Sequence, residues 1–172
     1  GVQHISHTHL PEHKFVSGQP EPGDYLANDL ETICQNFGGE NIAACIVEPI
    51  AGSTGTLVPP KGYLQKLREI CDKHEILLIF DEVITGWGRT GSKFGAHEFG
   101  VTPDIMTMAK ATTNGVVPMG VVACNDYIYD AVMDSSPMGS VELFHGYTYS
   151  GIPVAVAAAL AVQDIFEKED IF

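Results

Sequence analysis

Residues 76–115 read ILLIFDEVITGWGRTGSKFGAHEFGVTPDIMTMAKATTNG, with Asp81 near one end and Lys110 near the other. The unbroken apolar run of residues 76–80, bounded by polar residues, predicts a strand buried on both faces of a parallel sheet. It ends on two carboxylates, Asp81 and Glu82. A charge at the end of a buried strand is costly unless a cation meets it there. Open α/β sheets bind ligands outside the carboxyl ends of their strands, which puts Asp81 where ligand chemistry takes place. Lys110 repeats the arrangement: it closes the apolar segment DIMTMAK, which holds no other cation, and the small, turn-forming ATTNG follows. An ammonium partly desolvated at such a place gives up its proton more readily and becomes a nucleophile.

The pairing suggests a cofactor. Pyridoxal phosphate (PLP) needs a lysine to hold its aldehyde as a Schiff base and an anion beside its pyridine nitrogen to keep that nitrogen protonated. Asp81 and Lys110 fit those two roles. Each also has an ordinary reading taken singly, the carboxylate as a helix cap or ion-pair partner and the lysine as a solvated cation.

The motifs around the pair carry a resemblance. FDEVITGWGRTG at residues 80–91, followed by TPDIMTMAK, TTNG, PMG and HGYTYS, resembles the class III aminotransferases among the fold-type I PLP enzymes. Upstream, VEPIAGSTGTLVPPKGYLQKLREIC is similar to the same family in the same order, so the likeness covers nearly the whole chain. Within the family the sequence most resembles the omega-amino acid:pyruvate, or beta-alanine:pyruvate, aminotransferases.

The resemblance implies an α/β fold with a largely parallel sheet flanked by helices, part of the large PLP-binding domain of a fold-type I transferase. It implies that Lys110 binds pyridoxal 5'-phosphate and shuttles the proton between substrate carbon and cofactor. Asp81 would pair with the pyridine nitrogen, and Val83 would lie against one face of the ring. Thr148 matches the family's phosphate-binding threonine, usually supplied by the neighbouring subunit, with Tyr147 beside it. A site shared across two chains implies a homodimer.

The implied reaction is transfer of an amino group from an omega-amino acid or amine to pyruvate or another keto acid. A related class III reaction, by an aminomutase or a decarboxylase, would use the same lysine and aspartate. One departure is informative: many members read DEVQ, whereas this chain has Ile84, which cannot donate a hydrogen bond to the cofactor's phenolic oxygen. That leans away from the ornithine and 4-aminobutyrate types.

A chain of 172 residues would ordinarily form one domain with one core. Class III enzymes are much longer. Residues 1–172 are therefore expected to be a partial large domain, with N-terminal and C-terminal portions of the full enzyme absent, and to be inactive alone. The formal net charge of −13 argues against nucleic acid as a partner, and such acidity is common in cytoplasmic enzymes. Cys34, Cys45, Cys71 and Cys124 show no C-x-x-C spacing and are expected to be reduced and buried. No apolar run approaches membrane-spanning length, and no membrane is expected as a partner.

Elsewhere the chain reads as scaffold. His4, His7, His9 and His13 are the one metal-like cluster, but they lack regular spacing with cysteine or carboxylate, and the alternative is a short strand with an exposed loop. Residues 11–25 read as a long surface connection. A helix capped by Asp24 is expected from Tyr25, with Tyr25, Leu26, Leu30, Ile33, Cys34 and Phe37 as its apolar stripe. Residues 42–47 read as the next buried strand. Glu48 at its end lines the pocket or supports it, and the glycine-containing residues 51–62 cradle an anion or simply connect. A helix beginning at Pro60 leads into the strand at 76–80.

The segment GWGRTG, Gly86 to Gly91, matches the G-x-G-x-x-G fingerprint and supplies a rival, a Rossmann-type nucleotide-binding domain. Against it, Asp81 and Glu82 would repel a pyrophosphate, and the sequence after the loop lacks an apolar helical stripe, so no helix is expected there. Beyond Lys110, residues 119–124 read as a strand, Asn125 or Asp126 caps a helix, and residues 134–150 form a loop. Residues 153–166, crowded with alanine, valine and leucine, read as a helix buried in a core or a subunit contact.

Overall fold

A computed structural model of the chain describes residues 1–14, 16–141 and 143–172; Phe15 and Glu142, within the two connections read from the sequence, lie outside the described residues. Four strands form one sheet in the order β1 (Ala44–Val47), β2 (Leu77–Asp81), β3 (Ile105–Met108) and β4 (Val121–Cys124). The first three run parallel and β4 runs antiparallel to β3. The sheet is thus largely parallel, as expected, with α2 (Tyr63–His74) in the crossover from β1 to β2.

Successive side chains of a strand point to opposite faces. Leu78 and Phe80 join the core with Leu64, Leu67, Ile70 and Cys71 of α2 and with Leu30 and Cys34 of α1 (Asn28–Phe37). Leu77, Ile79 and Asp81 take the other face and are half-buried. Burial of this strand on both faces is therefore corrected: among the described residues α1 and α2 cover one side, and on the other Ile46 remains 60 % exposed. In-register pairing lines up Ile46, Ile79, Ile105 and Cys124 across that open face, and Asp81, Thr107 and Val122 in the next row.

An ion pair fixes the amino ends of the strands. Arg68 Nη1 donates to Asp104 Oδ2 at 2.8 Å, and the same oxygen accepts the Leu78 N–H at 2.6 Å, tying α2, β2 and the entry to β3 together.

Several local expectations shift. The helical turn starts at Asp24 as a 3-10 segment, Asp24–Ala27, with no side-chain capping bond, and runs into α1; Tyr25 and Phe37 are exposed while Ala27 joins the core. Past Pro60, α2 starts at Tyr63, after Gly62 at φ +82°. Residues 1–10 contain no strand, and Cys124 is exposed while the other three cysteines are buried and free. α4 (Asp126–Asp134) follows Asn125 as expected. α5 (Pro153–Lys168) forms, yet only Ala155 is buried, because no described element covers its other faces. A short helix, α3 (Gly95–Phe99), stands where none was expected. No described helix is long and apolar enough to cross a membrane.

Candidate active site

Asp81 and Lys110 stand beyond the carboxyl ends of two neighbouring parallel strands. Asp81 closes β2 and pairs in register with Thr107 of β3, whose carbonyl accepts the Glu82 N–H at 2.9 Å. Lys110 follows Thr107 by three residues and opens the 3-10 segment Lys110–Thr113. Asp81 Oδ1 accepts the Val83 N–H at 3.0 Å, which curls the chain after β2 and leaves Oδ2 without a partner among the described residues. Lys110 lines a recess of about 550 Å³ with Ala109, Thr113, Gly115, Val117 and Pro118. Among the described residues neither Asp81 nor Lys110 enters a salt bridge. The expected desolvation of Lys110 is corrected, since its side chain is exposed in this chain. Asp81 and Val83 do not line the recess that holds Lys110.

Glu82 holds the turn between Asp81 and Val83, a role sequence reasoning missed. Its side chain is fully buried, with Oε2 accepting the Gly95 N–H at 2.8 Å and the Thr85 hydroxyl at 2.5 Å, and Oε1 accepting the Ala96 N–H at 2.7 Å. The amino end of α3 is thus occupied by a carboxylate of the protein itself, which removes the dinucleotide rival on physical grounds. The glycines of GWGRTG have local reasons: a Cβ on Gly86 would come 2.8 Å from the Glu82 carbonyl oxygen, while Gly88 and Gly91 sit at φ +88° and +94°. The signal in the sequence was Gly95, where an added Cβ would come 3.1 Å from Glu82 Oε2.

Other candidates are placed less centrally. Glu48 accepts the Gly52 N–H at 2.9 Å and so braces the loop after β1, which closes through mutual hydrogen bonds of Ala51 and Leu57. Ile84 packs over Gly52, where a Cβ would come 2.6 Å from its Cδ1. Tyr147 and Thr148 are exposed on the turn before α5 and hydrogen-bond neither Asp81 nor Lys110. His13 is buried and its ring nitrogens meet the carbonyls of Thr8 and Pro22, a packing role.

A phosphorylated pyridine aldehyde requires an anion for its ring nitrogen and an amine for its aldehyde carbon. The residues fit: a carboxylate with one oxygen and an amine, both without a partner among the described residues, stand at adjoining strand ends.

The Aminotransferase class-III family matches residues 2–172. The omega-aminotransferase of Caulobacter vibrioides is 58% identical over 100% of this chain and 39% of its own length. The beta-alanine--pyruvate aminotransferase of Pseudomonas aeruginosa is 54% identical over 99% of this chain and 38% of its own. An amine transaminase from an uncultivated Pseudomonas species, solved in its PLP-bound form, superposes with a TM-score of 0.78 at 47% identity, covering 85% of this chain and 33% of that one. The chain spans less than two fifths of the length of these relatives, and it belongs to the PLP-dependent class III aminotransferases.

Proposed function

We propose that the full-length protein transfers the amino group of an omega-amino acid or amine to pyruvate or another keto acid, with pyridoxal 5'-phosphate held by Lys110 and Asp81. The observation that carries this reading is the pairing of neighbouring parallel strand ends, one bearing a carboxylate with a free oxygen and the other an unpaired amine. The relatives that act on beta-alanine and pyruvate support the choice of donor and acceptor.

When bound, the cofactor supplies an electron sink for the charge left as a carbon-bound proton departs. Asp81 Oδ2 would accept the ring N–H in a charge-assisted hydrogen bond, with Oδ1 fixed on the Val83 N–H. Val83, held by that bond, would set one wall against the ring. Lys110 Nζ would anchor the cofactor and, once the donor's amine has displaced it, would take the proton from the donor's amine-bearing carbon and pass it to the cofactor rather than back to that carbon. Ile84, packed over Gly52, has no hydrogen bond to give.

Residues 1–172 form part of the large cofactor-binding domain and are inactive on their own. Two copies complete the site, with Thr148 binding the cofactor phosphate across the interface and Tyr147 beside it. Support comes from the exposed apolar side chains of Met138, Phe144, Tyr147 and Tyr149, a surface suited to burial against a second copy in a cytoplasmic homodimer.

The test is product analysis with the full-length protein, beta-alanine or a primary amine, and pyruvate. Alanine should accumulate in step with the deaminated donor, and Lys110→Ala should abolish it. Near-normal alanine formation by that variant, or release of carbon dioxide or an isomerised amine in place of alanine, would overturn the reading.

A further inference from the structure

Lys110 has φ +43°, a left-handed conformation that a residue with a side chain keeps only where its surroundings over-determine it. The bonds that do so can be traced. On one side, the Ala109 carbonyl accepts both the Thr112 N–H and the Thr112 hydroxyl, each at 2.9 Å. On the other, the Lys110 carbonyl accepts the Gly115 N–H at 3.1 Å. Because Thr112 Oγ1 spends its proton on Ala109, its lone pair is left to accept, and the indole N–H of Trp87 donates to it at 3.0 Å. Trp87 is itself left-handed at φ +61°, with its N–H on the Lys93 carbonyl at 2.7 Å and its ring 4.8 Å from Phe94 and 6.0 Å from Phe166 of α5.

We infer that Trp87 is a positioning residue for Lys110, acting through Thr112. The one-way chain from indole N–H to Thr112 hydroxyl to Ala109 carbonyl fixes the peptide plane that enters Lys110, and so the direction in which its side chain leaves the backbone. Trp87 lies six residues beyond Asp81 in the loop that Glu82 anchors, so the chain also couples the two strand ends. The inference rests on the reading of Lys110 as the cofactor-bearing lysine.

Two readouts test it in the full-length protein. In the cofactor-free form, Trp87→Phe should speed amide hydrogen exchange across residues 109–115 about tenfold, the loss of one neutral hydrogen bond, and Thr112→Val, which removes both bonds of its hydroxyl, by at least as much. In the loaded form, each should lower kcat about tenfold and leave KM within about twofold. The double variant should be no slower than Thr112→Val alone, and Thr112→Ser, which keeps the hydroxyl, should restore the parent values. Parent-like exchange in Thr112→Val, additive losses in the double variant, or equal damage by Thr112→Ser would overturn the inference. Should the cofactor prove to be held by another lysine, the reading of Lys110 falls, while exchange in the cofactor-free form still decides whether Trp87 orders residues 109–115.

Discussion

Replacing Glu82 by glutamine is the perturbation whose cost follows most directly from the geometry. Three donors converge on a fully buried carboxylate: the N–H groups of Gly95 and Ala96 and the hydroxyl of Thr85. A glutamine can accept at only one of the two oxygen positions. Placing its carbonyl at the Oε2 position keeps Gly95 and Thr85, but sets the amide NH₂ against the Ala96 N–H, two donors facing each other. One charge-assisted hydrogen bond is lost and one buried N–H is left unpaired, a cost of about 3 kcal/mol. Glu82→Ala strands all three donors and opens a cavity, and should cost about 5 kcal/mol. Urea unfolding of the full-length protein measures this as a lower midpoint with an unchanged slope. Thr85→Val, which removes a donor together with its bond, should cost only about 1 kcal/mol. A Glu82→Gln protein within about 0.5 kcal/mol of the parent, inside the usual range for surface substitutions, would refute the bonding scheme.

Further outcomes follow from the same framework. Burial pushes the Asp104 carboxyl up, but the bonds from Arg68, the Leu78 N–H and Tyr127 outweigh it and hold the group below the usual carboxylate range. A folded pKa below the unfolded one means the stabilisation is full above the unfolded value of about 3.9 and is lost as pH falls through the folded value. Asp104→Asn should therefore cost about 3 kcal/mol at neutral pH and flatten the acid limb of a plot of unfolding midpoint against pH. Gly95→Ala would bring a Cβ 2.9 Å from Pro49 Cβ and 3.1 Å from Glu82 Oε2; this overpacking should cost about 2 kcal/mol, read by thermal unfolding.

What the sequence made legible was carried by local pattern. The run 76–80 marked β2 and its end at Asp81 because apolar continuity and a terminal charge are both local signals. Pro153 and the alanine-rich run marked α5 equally well. The misses share a cause, which is that a partner distant in the chain decided the outcome. α3 has five residues, too few for an apolar stripe, and its start is set by Glu82 reaching across from the end of β2. That Ile79 is only half-buried and Lys110 exposed depends on which elements cover the sheet, which no strand pattern encodes. The contact from Trp87 to Thr112 joins residues 25 positions apart, and nothing in either local segment announces it. The candidate lysine and aspartate were visible as residues at strand ends; that those strands are neighbours, in register at Asp81 and Thr107, came from the fold.

We propose that one cofactor spans the ends of β2 and β3, bonded to Lys110 and charge-paired with Asp81. Borohydride reduction of the full-length protein with bound pyridoxal 5'-phosphate, followed by peptide mapping, tests it most directly. The reduced cofactor should be attached to the peptide containing Lys110 and absent from the Lys110→Ala variant. Attachment at another lysine, or undiminished labelling of that variant, would contradict it.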